Sequence, residues 1–137
     1  MNVRILIIDD DARHGESLVE LLSSRGYEAY FAPTPEDAEW LLGLFRFDLT
    51  VIDFDMPSAS GPEVARKLLV RLPGLEVAII SAHEADGARR ELIADLPFFP
   101  KPIEAEAFVA FVERVSAQRR GLPLMRWGPY PLERYRR

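Results

Sequence analysis

Val3-Arg4-Ile5-Leu6-Ile7-Ile8-Asp9-Asp10-Asp11 is the stretch that decides the fold. Its β-branched and leucine run, Val3–Ile8, is too short for a helix and reads as a strand buried on both faces. It stops abruptly at acids. Val51-Ile52 closes in the same way on Asp53-Phe54-Asp55. A buried strand ending like this delivers carboxylates to the rim of a sheet. Like charges gathered there repel, so they call for a hard divalent cation or a positive side chain.

Working outward, strand-like and helix-like segments alternate as far as residue 117. Leu18, Leu21 and Leu22 follow helical spacing, and Gly26 is a C-terminal stop. Glu28–Ala32 is a weaker second strand. Thr34-Pro35-Glu36-Asp37 starts a helix, with Thr34 as N-cap, Pro35 at the first position and acids in the first turn. Ala38, Leu41, Leu42 and Phe45 form its inward face, with Trp40 covering its flank. Asp48–Asp53 is the third strand and Met56–Gly61 a loop. A helix carrying Val64, Leu68 and Leu69 ends before Pro73-Gly74, and Leu75–Ser81 is the fourth strand. Ala85–Ala94 reads as a thin, charge-rich helix. Pro97-Phe98-Phe99-Pro100 allows only a short edge strand, because proline lacks the ladder donor. Phe108, Phe111, Val112 and Val115 line the last helix. Five strands alternating with five helices is the (βα)5 pattern of an α/β fold, a doubly wound parallel five-stranded sheet.

Composition narrows the function. The 137 residues, 48% hydrophobic, suit one domain and a short extension, divided here as 1–118 and a basic, proline- and aromatic-rich tail, 119–137. The absence of cysteine excludes disulfides, thiolate metal sites and cysteine nucleophiles. No apolar run approaches the roughly 20 residues that span a bilayer, and no leader is visible, so a cytoplasmic location is expected. Residues 1–118 hold 21 acids and 11 bases, while the tail holds six Arg and one Glu. An acidic body argues against direct nucleic-acid binding by this domain.

Parallel strands bring their carboxyl ends to one edge, where open sheets of this kind bind ligands. Asp9 and Asp10 stand after strand one, Asp53 after strand three, Ser81 after strand four and Lys101-Pro102 after strand five. Carboxylate oxygens suit Mg²⁺ or Mn²⁺, which keeps waters and a phosphoryl oxygen in its shell. One hydroxyl and one ammonium beside it could hold the other oxygens of a tetrahedral anion, an arrangement suited to phosphoryl transfer.

In this order, Asp9-Asp10, Asp53-Phe54-Asp55-Met56-Pro57 with Gly61, Ser81-Ala82 and Lys101-Pro102 resemble the motifs of a response-regulator receiver domain, the phosphoacceptor of two-component signalling. The resemblance covers about residues 3–117. It implies a flavodoxin-like strand order, 2-1-3-4-5. It also implies that Asp53 is the phosphoacceptor, Asp10 a direct metal ligand, Asp9 a ligand largely through water, and Asp55 a ligand by its backbone carbonyl. Lys101 would pair with the phosphoryl group and Ser81 would move inward to hydrogen-bond it. Phe98 takes the position of the family's switch aromatic, with plain core as its rival role. Asp55 and His83 sit where the family tunes phosphoryl lifetime, and Lys101–Pro102 is often cis in the family.

The implied partners are a sensor histidine kinase or phosphotransfer protein and a downstream effector protein. The resemblance allows a homodimer through the 85–94 helix, fifth strand and last helix. It makes the chain a signalling domain, not an enzyme, that takes part in its own phosphoryl transfer and autodephosphorylation. Two alternatives stand beside it. One is the receiver fragment of a DNA-binding response regulator. The other is a haloacid-dehalogenase-type phosphatase built on Asp53-Phe54-Asp55, although that motif normally follows the first strand. Asp11 reads as the cap of the first helix, and His14 in its first turn as an exposed residue facing the acids.

Overall fold

The computed structural model of the chain describes residues 3–56, 61–82 and 96–120. Five parallel strands form one sheet: β1 (Arg4–Ile8), β2 (Glu28–Ala32), β3 (Leu49–Asp53), β4 (Glu76–Ser81) and β5 (Phe98–Pro100), in the order β2-β1-β3-β4-β5. Four helices are described: α1 (Ala12–Ser24), α2 (Pro35–Leu44), α3 (Gly61–Arg71) and α4 (Ala105–Arg120). The helix expected over 85–94 and the segment 121–137 lie outside the described residues.

The side-chain alternation of β1 explains the two layers of helices. Leu6 and Ile8 point to one face, where Ile52, Val77 and Ile79 join Ala38 of α2 and Ala65 and Leu68 of α3. Ile5 and Ile7 point to the other, with Val51, Ala78 and Ile80 against Leu18 and Leu22 of α1 and Phe108, Val112 and Val115 of α4. Ile5 through Ile8 are completely buried. Each such side chain contributes about 1.5–3 kcal/mol by leaving water, so a run apolar on both faces is stable only as a central strand. The register follows from it: Ile8 lies beside Ile52, and Ile52 beside Ile79, which brings the ends of β1, β3 and β4 level.

Local signals set the boundaries. Thr34 caps α2 by accepting the Asp37 N–H at 3.1 Å, and Asp11 caps α1 by accepting from Arg13 and His14. Gly26 follows α1 at φ 89°, a conformation that favours glycine. Phe45 falls just outside α2. Its extended backbone ends the helix, its ring stacks on Tyr30 at 5.1 Å, and the Arg4 guanidinium lies over that ring, 5.1 Å from its centroid. Asp48 stands just before β3, where its carboxylate accepts the Arg4 N–H at 2.9 Å. Trp40 points to solvent, 65% exposed, instead of covering the flank of α2.

In β5 the two phenylalanines divide. Phe99 turns inward against Phe108 and Phe111, at centroid distances of 5.4 and 5.2 Å. Phe98 is exposed, so the plain-core reading of that residue is corrected. Arg119, assigned by its charge to the tail, lies inside α4 and donates to the carbonyls of Asp48 and Gly74.

Candidate functional site

The ends of β1 and β3 are built alike. Asp9 Oδ1 accepts the N–H of Asp11 at 2.9 Å, and Asp53 Oδ1 accepts the N–H of Asp55 at 2.8 Å. An aspartate that bonds the backbone two residues ahead turns the chain sharply and fixes its own carboxylate at the strand end. Asp9 and Asp53 are buried, whereas Asp10 is exposed. Carboxylate oxygens of Asp9, Asp10 and Asp53 lie within 4.8 Å of one another. Burial, reinforced by the neighbouring Asp53 carboxylate, raises the Asp9 pKa from 3.8 to about 6, although His14 and the Asp11 N–H pull it down. His14 Nδ1 stands 2.5 Å from Asp9 Oδ2. His14 does face the acids, but it is half-buried and paired, not the exposed residue expected.

Lys101 supplies the positive charge. The Lys101 N–H bonds to the carbonyl of Ser81 at 3.0 Å, which continues the β4–β5 pairing, and the Lys101–Pro102 bond is cis. Lys101 Nζ donates to Asp53 Oδ2 at 2.9 Å and lies 3.4 Å from Asp55 Oδ2. Burial lowers the Lys101 pKa, but the carboxylates of Asp53, Asp9 and Asp55 outweigh it, and the net shift is upward.

Ser81 is buried at the end of β4, and its Oγ donates to Asp55 Oδ1 at 2.9 Å. The Ala82 N–H donates to Asp55 Oδ2 at 2.6 Å. Burial raises the Asp55 pKa, yet the Ala82 N–H, the Ser81 hydroxyl and Lys101 together hold it below the usual carboxylate range. The Asp55 side chain thus faces β4 and Lys101, and any metal contact from this residue would come from its carbonyl oxygen. The sequence points to the Asp55 carbonyl and to a position that tunes phosphoryl lifetime, but not to the hydrogen bonds its carboxylate accepts from Ser81 and the Ala82 N–H. The adjacency of Ala82 to Ser81 was the available signal.

The donor set fits a hard divalent cation. Three carboxylates converge from two strand ends, and the burial and mutual proximity that raise the Asp9 pKa are what a +2 ion would relieve. Phe98 is exposed on the edge strand. His83 and Pro57 lie outside the described residues.

Comparison with known proteins agrees with this geometry. A family model described as response regulator receiver domain matches residues 5–113. A response regulator receiver protein of Anaeromyxobacter is 36% identical over 104 residues, covering 73% of this chain and 43% of that protein. Response regulator MprA of Mycolicibacterium vanbaalenii is 34% identical over 115 residues, covering 80% and 48%. The chain spans about half the length of the curated relatives it matches. Among solved structures, the non-phosphorylated HemR receiver domain of Leptospira biflexa superimposes with a TM-score of 0.74 at 30% identity, covering 85% of this chain and 95% of that one. A CheY-like receiver domain protein of Methanospirillum hungatei, 23% identical, shares the fold with a TM-score of 0.78, covering 88% and 98%.

Proposed function

This chain belongs to the response-regulator receiver domain family of two-component signalling, and from that footing we propose that Asp53 is its phosphoacceptor. The observation that carries this reading is the buried Asp53 carboxylate, paired with Lys101 at 2.9 Å inside the Asp9–Asp10–Asp53 cluster. The donor would be the phosphohistidine of a sensor kinase or phosphotransfer protein. An Asp53 carboxylate oxygen attacks phosphorus, the P–N bond breaks, and the imidazole leaves with a proton from solvent. The product is an acyl phosphate on Asp53.

Asp9, Asp10, Asp53 and the Asp55 carbonyl would hold Mg²⁺ or Mn²⁺. The ion would supply charge neutralisation to the incoming phosphoryl oxygens. Lys101 binds another oxygen and Ser81 donates a hydrogen bond to the group. The site releases the phosphoryl by its own hydrolysis. Inward movement of Ser81 frees space toward β5, and Phe98, exposed in this structure, follows it by ring packing alone. An effector protein or a second copy of the chain reads that change. Sensor kinases present phosphohistidine in the cytoplasm, so the domain works there. Among the described residues no helix is long and apolar enough to cross a membrane.

A second reading has one observation in its favour. Because the chain spans about half of its relatives, it corresponds to the receiver portion of a longer regulator. Exposing the chain to acetyl phosphate with Mg²⁺ tests the main reading. Intact mass should rise by one phosphoryl group in the wild type and not in Asp53→Asn. An unchanged wild-type mass with both acetyl phosphate and a cognate kinase sinks it.

A further inference from the structure

We propose that the Asp55 carboxylate is a resident occupant of the phosphoryl cradle, holding its donors until a phosphoryl group on Asp53 displaces it. This rests on the phosphoacceptor reading of Asp53. Three donors from two parts of the sheet converge on this one side chain: the Ser81 hydroxyl at 2.9 Å, the Ala82 N–H at 2.6 Å and the Lys101 ammonium at 3.4 Å. A hydroxyl, an amide and an ammonium are the set that the non-bridging oxygens of a phosphoryl group require. Lys101 already divides itself between Asp53 and Asp55. The same donors cannot serve the Asp55 carboxylate and a phosphoryl group together, and two anions so close repel.

Displacement is feasible from where Asp55 stands. Its side chain is 17% exposed, against 2% for Asp53, so it lies at the rim and can rotate into water. Asp55 also reaches its position through its own backbone, since its N–H is bonded to Asp53 Oδ1. Phosphorylation of that carboxylate perturbs the bond that aims Asp55. The consequence is an internal competitor. It holds the Ser81 hydroxyl and the Ala82 N–H in hydrogen bonds to Asp55 without phosphate and weakens the site for any outside anion. A ligand that needs a site occupied by such a competitor binds less tightly, in proportion to the fraction of time the site is free.

Beryllofluoride with Mg²⁺, bound to the full chain, is the probe. Its dissociation constant is measured by ¹⁹F spectroscopy for wild type, Asp55→Asn and Asp55→Ala, with the Ala82 amide resonance followed in ¹H–¹⁵N spectra. Binding should tighten roughly tenfold in Asp55→Ala, the factor for a site free about one-tenth of the time. Asp55→Asn, which keeps the shape and one acceptor, should fall between and serves if the alanine variant fails to fold. The Ala82 amide of the unliganded variants should shift away from the wild-type position, and beryllofluoride should restore its hydrogen-bonded shift. Equal or weaker binding in the folded variants, or an unmoved Ala82 amide, overturns the competitor. No binding by wild type or either variant overturns instead the phosphoacceptor reading beneath it.

Discussion

The ammonium of Lys101, beyond β5, donates to the buried carboxylate of Asp53 at the end of β3, 2.9 Å away and across the position of β4. The bond ties the edge strand to the centre of the sheet. Removing Lys101 leaves a buried charge uncompensated, which is far more costly than the pair is stabilising. Lys101→Met should therefore lower stability by about 2 kcal/mol without metal. Urea unfolding measures it. Replacing Asp53 by Asn in the same chain should recover part of the loss, whereas simple additivity would show that the two residues are not coupled.

Mg²⁺ should raise the melting temperature, because only the native state gathers Asp9, Asp10 and Asp53. At ten times its dissociation constant the ion adds about 1.4 kcal/mol. Asp10→Ala should shrink that shift while sparing the fold, since Asp10 is exposed. Scanning calorimetry with and without millimolar Mg²⁺ gives the answer, and identical shifts for both proteins would remove Asp10 from the site.

Gly61 packs against the turn that follows Asp53. A methyl group there would come within 2.7 Å of the Phe54 Cα, main chain that cannot swing aside. Gly61→Ala should cost about 1–3 kcal/mol. Because Phe54 adjoins Asp53, phosphoryl uptake from acetyl phosphate should slow as well. Normal stability together with normal uptake would contradict the contact.

Thr50 is buried in the middle of β3, and its hydroxyl has no hydrogen-bond partner among the described residues. Thr50→Val keeps the shape and removes the unsatisfied group. Stability should rise by about 1 kcal/mol. A loss on chemical denaturation would show that the hydroxyl has a partner after all.

Glu28 is held below its ordinary pKa of 4.5 by the Tyr30 hydroxyl and then by Arg4, which together outweigh burial. A carboxyl depressed in the folded state stabilises above its unfolded pKa, and the benefit fades as pH falls through the folded value. The Glu28 side chain is 39% exposed, so the effect is small and screened by salt. Glu28→Gln should lower stability slightly at pH 7 and flatten its decline below pH 4.5. Parallel wild-type and variant curves would show that the Tyr30–Glu28–Arg4 contacts add nothing.

What could be read from the chain follows from how local each signal is. Ile5–Ile8 is apolar on both faces, so a central strand ending at Asp9 is its only stable use. The caps at Asp11 and Thr34 were legible because their partners are two or three residues away. The Asp55 carboxylate was not, because its direction depends on a turn whose donors, Ser81 and Ala82, are 26 and 27 residues distant. Phe98 and Phe99 share a three-residue strand, too short for alternation to tell inward from outward. Arg119 was misleading for a related reason. Its charge matched the basic tail, while its partners are carbonyls that no sequence pattern marks.

That arginine has a geometric consequence. Asp48 and Gly74 precede β3 and β4, so Arg119 anchors the end of α4 at the pole opposite the carboxylates. Five residues of β3 separate the two poles, a span of roughly 17 Å. The end of α4 thus stands on the side farthest from Asp53. Chemistry at Asp53 reaches it as leverage carried along the strands and α4.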